Sequence, residues 1–496
     1  SINDSIGSIY SALVESGADV YCFSCYIWNI EIILKAAELI KKAMPNIVII
    51  FGGPESGYNS DELLKKYNFI DTIIRGEGEI IIGKVLELIQ QGKRPNRFYQ
   101  GECVDLNSLK FPYTTLDIEN LKNKILYFET SRGCPFRCAY CLSSADSNGI
   151  RYFPMEYVKK GFKFFFDKKV PLVKLIDRTF NCDSKRAVEI VNYIIENSTV
   201  TKVHFEIEAS ILTDELISVL NSAPKDMFQI EVGVQTINHE ALTAVNRNYD
   251  LEKIRYNIRR LTEPKNIHIH LDLIAGLPFE DYNSFIKSFN FVYSMSPDML
   301  QLGFLKVLKG TQVSERFTSD IKYAEFPPYE VISTKWISAS ELLKLKKVEN
   351  AVDMFYNSGK FFNSIRSISE KPPYDNNPYS LFEQLGEKTK RSEKAGKLAN
   401  TAFYEILYEI FGDCIIEELA VDFIKNNKTA RLPKFLHREM SKSFKTHCIE
   451  LINNPNFVES YKISGNLKDL RFEHILNKVF VMDYSNNLFF DITEWF

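Results

Sequence analysis

The chain predicts an α/β protein in three parts: a Rossmann-like domain, a partial (β/α)6 barrel and a helix-rich C-terminal domain. Three observations carry this. Apolar strands alternate with amphipathic helices from about residue 123 to 310, the pattern of a parallel sheet with crossover helices. A shorter run of the same alternation precedes it and contains Gly52-Gly53 directly after a strand. Beyond residue 310 the alternation stops.

The first domain is expected over residues 1–95. Residues 19–24 and 46–51 are short runs, the first around Val20-Tyr-Cys-Phe23 and the second rich in Ile and Val, and read as strands. Residues 30–43 carry apolar side chains at helical spacing. Residues 70–74 form a third strand, followed by Arg75-Gly-Glu-Gly-Glu79 and a helix to Gln91. Two adjacent glycines let a ligand approach the backbone closely, although a strand can end in glycine without any ligand. Cys22 and Cys25 lie on a strand with no helix start to activate them, so they read as inert thiols. Ser1 in place of Met implies a processed or trimmed start.

Residues 96–122 read as a connector, and residues 123–310 as the barrel. Its six strands are expected at 125–130, 172–176, 202–207, 228–234, 268–274 and 299–304. Active sites of such barrels lie at the C-terminal ends of the strands. Here those ends are polar: Asp177-Arg178 through Asn181, Glu206 and Glu208, Glu231 through Gln235, and His268 through Asp272 to Gly276-Leu277-Pro278. Charged groups in strands buried on both faces are costly unless paired or ligand-facing. A polar barrel mouth accounts for the set, while any single member could equally sit in a buried salt bridge.

Residues 311–496 read as mostly helical, ending in a hairpin across Ser485-Asn486-Asn487. Its basic stretch (Arg431, Lys434, Arg438, Lys442) reads as a solvated face, with a phosphate or RNA contact as the alternative. Hydrophobic content of 45%, charged content of 25% and a net charge of −3 are ordinary for a globular protein. They give no general attraction to nucleic acid or anionic membranes. No apolar run reaches the roughly 18 residues needed to span a bilayer. Nine cysteines, an odd number, argue against a disulfide framework and for the reducing cytoplasm.

Cys134, Cys138 and Cys141 stand in the loop after the first barrel strand with C-x3-C-x2-C spacing. Four-iron clusters are usually held by four cysteinates. Three thiolates leave one iron open to a ligand. A structural zinc site or three buried thiols are the plainer readings, but zinc motifs tend to come as paired C-x2-C units and no second pair lies at finger distance.

With Tyr140 before the third cysteine, this run resembles the signature of the radical S-adenosylmethionine (SAM) superfamily. The resemblance implies a [4Fe-4S] cluster on the three cysteines and SAM on the open iron. It implies cleavage of SAM to a 5′-deoxyadenosyl radical, with an electron donor such as flavodoxin or ferredoxin. It places Tyr140, Asp177, Glu208, Gln235, Gly276 and Leu277 at SAM, Asp177 standing where the family more often has Gly-Gly-Glu.

The first domain resembles the cobalamin-binding domains that precede many such cores. Ser24 and Gly52-Gly53 match two of their three motifs, with Tyr26 where a leucine is usual. The third motif would fall upstream of residue 1, and all seven histidines lie at or beyond His204, so no cobalt-ligating histidine is visible. Cobalamin is therefore a possible but doubtful cofactor. The wording of 23–29, 177–181, 270–278 and 301–306 resembles a bacterial group with a cobalamin-type domain, the barrel and a C-terminal domain. Within it the chain resembles the queuosine-salvage lyases, which release queuine from queuosine or its 5′-phosphate. That would make the substrate a small nucleoside or nucleotide. Glu231 or Asp272 would face the base and Arg178 the phosphate. The alternatives are a cobalamin-dependent radical SAM methyltransferase and a zinc-stapled binding protein.

Overall fold

The computed structural model describes residues 4–121, 124–144, 149–393, 401–428, 430–436, 442–463, 466 and 468–496. It divides into two compact units: residues 1–298 with 302–342, and residues 299–301 with 343–496.

The first unit opens on a helix, Ile6–Ser16, and a parallel sheet of four strands, β1 (Val20–Ser24), β2 (Val48–Gly52), β3 (Thr72–Arg75) and β4 (Phe98–Gln100), in the order 1-2-3-4. The strand β4 lies in what reads from the sequence as connector. Its three residues carry no apolar alternation, and what recruits them is pairing with β3. The helix Ile30–Ala43 buries Ile30, Ala36, Ala37 and Ile40 against the sheet, the stripe its spacing predicts. Cys25 is buried, which pushes its thiol up to about 12, so it is inert. Cys22 is exposed.

The chain then enters a six-stranded sheet through β5 (Leu126–Phe128). A short antiparallel pair, β6 (Ser131–Arg132) with β7 (Arg151–Tyr152), follows it. The sheet continues through β8 (Leu172–Leu175), β9 (Lys202–Ile207), β10 (Phe228–Gln235), β11 (His268–Ala275) and β12 (Met299–Phe304), in the order 12-11-10-9-8-5. The pairings of β5, β8, β9, β10 and β11 are parallel. Side chains alternate between helix-covered and lumenal faces, most regularly on β10 and β11. Helices cover the outer face, and several start on side-chain caps. Asp183, Thr213, Asp250 and Asp281 each accept a backbone N–H of the first turn. Behind β5, Phe128 meets Phe111, Tyr157, Phe162 and Phe165, and this aromatic cluster anchors the strand that carries the cysteine loop. A hairpin, β13 (Ile321–Tyr323) and β14 (Val331–Thr334), ends the unit.

The second unit is helical, as expected, but closes on a three-stranded antiparallel sheet: β15 (Leu470–Ile475), β16 (Lys478–Asp483) and β17 (Leu488–Asp491). The last two form the hairpin predicted from the sequence. Asp422, buried, accepts from the N–H groups of Asn363 and Ser364 and from both their side chains, so it caps the helix Phe362–Ser369. Of the basic stretch, Arg431 and Lys434 are exposed and Arg438 lies outside the described residues. Nearby Lys428 pairs with Asp469 at 2.8 Å. These features fit a solvated face.

Gly53 has φ +91°, and a Cβ there would lie 2.6 Å from the carbonyl oxygen of Cys25. The chain's own crossing therefore requires this glycine. Gly17 also has positive φ, +58°, but faces open space. Gly53→Ala is expected to cost about 2–3 kcal/mol and Gly17→Ala about 1 kcal/mol in chemical denaturation. Equal costs would show that the Cys25 approach is relaxed easily.

Candidate functional site

The cysteine loop is held from three sides. Asp177, at the end of β8 and 1% exposed, accepts from the Thr130 N–H at 2.8 Å, the Thr130 hydroxyl at 2.5 Å and the Ser131 hydroxyl at 2.7 Å. Burial pushes this carboxyl above its usual range, and those hydrogen bonds pull it back. Gly133 has φ +91°, and a Cβ there would collide with the Gly149 carbonyl, so only glycine lets the chain turn into the loop. The Ala139 N–H donates to Val245 O at 3.0 Å, and Val313 N–H to Ala139 O at 2.9 Å. Cys138 is buried and Cys134 and Cys141 half-buried.

Zinc with four ligands would draw thiolate sulfurs to roughly 3.8 Å of one another. Among the described residues the group of three His, Cys, Asp or Glu ligand atoms that lies within 4.8 Å is His204, Glu231 and His270. The three cysteines are not such a group, and they supply three thiolates where a structural zinc takes four ligands. The donor set therefore fits the cluster better than a zinc ion.

Arg132, two residues before Cys134, meets three carboxylates. Its Nε lies 3.0 Å from Glu129, its guanidinium 2.6 Å from Glu79 and 3.2 Å from Glu77. Glu77 also pairs with Arg151 and accepts the Val104 N–H. Burial works against ionising Glu77, but that N–H and the two guanidiniums hold its carboxyl below the usual range. Glu77 and Glu79 belong to the loop after β3, so the four-stranded sheet is tied to the cysteine loop. A second tie runs through Lys309, which donates to Asn59 at 2.8 Å and pairs with Glu62 at 2.6 Å, and through a Tyr329–Glu55 hydrogen bond.

Tyr140 and Glu208 converge on one residue that their sequence positions do not announce, Arg247. Its guanidinium, buried, donates to the Tyr140 hydroxyl, to Glu208 Oε2 at 3.2 Å and to Gly233 O at 2.8 Å. Its carbon lies 4.4 Å from the Tyr249 ring centroid. Asn181 fixes Glu208 by exchanging two 2.9 Å hydrogen bonds with its backbone. Gln235 ends β10 at a bulge with φ 68°, and its Oε1 is buried without a partner. An orphaned acceptor at a strand end points to a ligand donor. Gly276 follows β11 and abuts Val331, and Leu277 is fully buried. Asp177 stands apart from this group, its oxygens committed to Thr130 and Ser131.

Lower in the barrel, a lumenal cluster spans four strands: Lys174 on β8 pairs in register with His204 on β9, and Glu231 on β10 with His270 on β11. Glu231 Oε2 lies 3.3 Å from His204 Nε2 and 3.4 Å from Lys174 Nζ. The His204 hydrogen bond holds the Glu231 carboxyl down to about 2, with Lys174 adding to it against the burial. Burial, then Glu231 itself, pushes Asp272 well above the usual carboxylate range. Burial and the neighbouring His268 and His204 push His270 down to about 4. Burial pushes Glu206 up, and the charge of Arg178 opposes it. Arg178 itself is exposed. Glu231 and Asp272 therefore share one lumenal neighbourhood, while Arg178 stands exposed beyond the end of β8 and is felt there only through its charge on Glu206.

Three stretches of the chain match known families. Residues 3–86 match the B12 binding domain, residues 128–292 the radical SAM superfamily, and residues 318–493 a family described as a protein of unknown function, DUF4080. The 2-(S-pantetheinyl)-carbapenam-3-carboxylate methyltransferase of Streptantibioticus cattleyicolor is 24% identical over 300 residues, covering 54% of this chain and 44% of that one. The cobalamin-dependent radical SAM methyltransferase TokK of Streptomyces tokunonensis is 24% identical over 302 residues with the same coverage. This chain thus spans less than half the length of either relative. The radical SAM methyltransferase TsrM of Kitasatospora setae, solved with cobalamin and a [4Fe-4S] cluster bound, shares the fold. It has a TM-score of 0.54 and 13% identity, and the match covers 66% of this chain and 71% of that one.

These findings correct two expectations. The queuosine lyase is not supported, because both these relatives are methyltransferases, one of them cobalamin-dependent. The doubt about cobalamin also falls, because residues 3–86 match a B12 binding domain. A missing histidine removes one bond to cobalt, not the pocket that strand ends and glycines form. No helix among the described residues is long and apolar enough to cross a membrane.

Two outcomes test the geometry. Asp177→Ala leaves two hydroxyls and a buried N–H unpaired; it is expected to cost about 3 kcal/mol and lower the iron content of anaerobically purified protein. Full iron loading would remove Asp177 from the support of the loop. Glu280, fully buried, accepts from Thr236 at 2.5 Å, and burial pushes its carboxyl up to about 8. A raised carboxyl stabilises fully below its unfolded value and loses that contribution as pH rises through about 8. Thermal midpoints of Glu280→Gln are expected to fall less than those of the wild type between pH 5 and 8, and parallel curves would contradict the shift.

Proposed function

We propose that this radical SAM enzyme, with its N-terminal B12 binding domain, transfers a methyl group from SAM to a small-molecule substrate using a corrinoid. One observation carries the reading: the carboxyl edge of the four-stranded sheet is tied by Glu77 and Glu79 to Arg132, two residues from the first cluster cysteine. A ligand at that edge would lie beside the cysteine loop.

The edge has features suited to a flat macrocycle. Tyr26 and Trp28 stack at 4.5 Å and 7°, and Trp28 is 60% exposed. An exposed stacked ledge at the end of β1 offers an apolar face. At Gly52 a Cβ would meet nothing closer than Ile74 O at 3.8 Å, so space remains above the strand end.

When bound, the cluster supplies an electron to SAM and the corrinoid supplies a methyl carrier. The protein's own residues orient and shield. Asp177 and Gly133 set the cysteine loop. Arg247, fixed by Glu208 and Tyr140, presents a buried cation beside Cys138. Gln235 offers its free amide oxygen to SAM. The lumenal Glu231 and Asp272, and the exposed Arg178, lie where a substrate entering the barrel would meet charge. An external one-electron donor completes the system.

Full-length protein reconstituted anaerobically with iron, sulfide and hydroxocobalamin, then desalted, tests this. About one corrinoid per chain is expected, with S-adenosylhomocysteine formed from SAM under reducing conditions. Trp28→Ala is expected to weaken corrinoid retention about tenfold without loss of iron. Protein that keeps its cluster but retains no corrinoid would overturn the reading.

A further inference from the structure

The lumenal layer of the barrel holds a set of donors that neither the cluster nor SAM uses. We propose that His204, His270 and Glu231, with Asp272 beside them, form a second metal site for a single divalent first-row cation such as zinc.

The geometry is that of a site already assembled. One ligand atom from each of His204, Glu231 and His270 lies within 4.8 Å of the other two. His204 Nε2 and Glu231 Oε2 are 3.3 Å apart. An ion bound at about 2.0–2.1 Å in tetrahedral geometry separates its ligands by roughly 3.3 Å, so this edge needs no rearrangement. The three residues come from adjacent strands, β9, β10 and β11, with Glu231 and His270 in direct register. A parallel sheet is a rigid frame for such ligands.

Two atoms of the set have no partner: His270 Nε2 and Asp272 Oδ1 are buried and unpaired. Such buried orphans are costly unless a ligand satisfies them. Two imidazoles and one or two carboxylates suit zinc or iron(II) and are poor for magnesium or calcium, which prefer all-oxygen shells. Lys174, 3.4 Å from Glu231, supplies the positive charge when no ion is bound, and it must turn toward solvent to admit one. Its side chain is 30% exposed, which leaves that path open. This site is independent of the corrinoid reading.

The test uses full-length protein carrying its reconstituted cluster, freed of loose metal by dialysis and given one equivalent of zinc chloride. Zinc K-edge absorption spectroscopy is expected to show a nitrogen and oxygen shell near 2.0–2.1 Å with imidazole outer-shell scattering. A sulfur shell near 2.3 Å would place the zinc on the cysteines and overturn the proposal. So would the absence of zinc after desalting. The His204→Ala, His270→Ala double variant is expected to lose this zinc while keeping the iron content of its cluster, and retention would overturn the site. Glu231→Gln is expected to weaken zinc binding at least tenfold. Should the double variant fail to fold, the wild-type spectrum decides alone.

Discussion

Arg132 is the residue on which the arrangement of the first unit turns. Its guanidinium is shared among Glu129, Glu77 and Glu79, with Arg151 closing the ring through Glu77. The side chains of Arg132 and Glu77 are about one-fifth exposed, so solvent screening is incomplete. A partly buried network of this kind is worth up to a few kcal/mol, well above an isolated surface pair. It fixes two things together: the start of the cysteine loop and the loop after β3. Arg suits this position because its five donors can serve several carboxylates at once, which a lysine could not match.

The barrel solves a different problem. A parallel sheet covered by helices on one side would normally read as apolar throughout. Here the helix-facing residues of β10 and β11 are uniformly buried, while the lumenal ones include Glu231, His270 and Asp272. Their charges are arranged so that few stand unopposed. Lys174 and His204 face Glu231, and burial beside Glu231 raises the Asp272 carboxyl above its usual range. At the strand ends Arg247 answers Glu208. The lumen is thus polar at two levels, the Arg247 group at the strand ends and the Glu231 cluster below it.

Legibility in the sequence varied with the range of the interaction. The cysteine spacing, the six barrel strands and the first three strands of the N-terminal sheet are local patterns legible in the sequence, whereas β4 is not. Neither is Arg247, because nothing around it repeats; only the folding of β10 and the following helix brings it to Tyr140 and Glu208. The strand β15 was hidden because its residues alternate weakly, and pairing with β16 decides its state. Asp177 was assigned to SAM by position, whereas its hydrogen bonds tie it to Thr130 and Ser131. The reading of substrate class went furthest astray. It leaned on short phrases of wording and on the absence of a histidine, neither of which measures a pocket.

What the sequence determined by itself was the chemistry available: three thiolates at cluster spacing, a glycine pair after a strand, and charged residues at even intervals in strands. Those follow from covalent spacing and from the two-residue period of a strand. What only tertiary structure decided was which of those charges meet. Lys174, His204, Glu231 and His270 are scattered over roughly a hundred residues and meet because parallel pairing sets Lys174 beside His204 and Glu231 beside His270, in neighbouring rows of the lumen. Register is set by the packing of whole strands and helices, and that is why no stretch of sequence could disclose it.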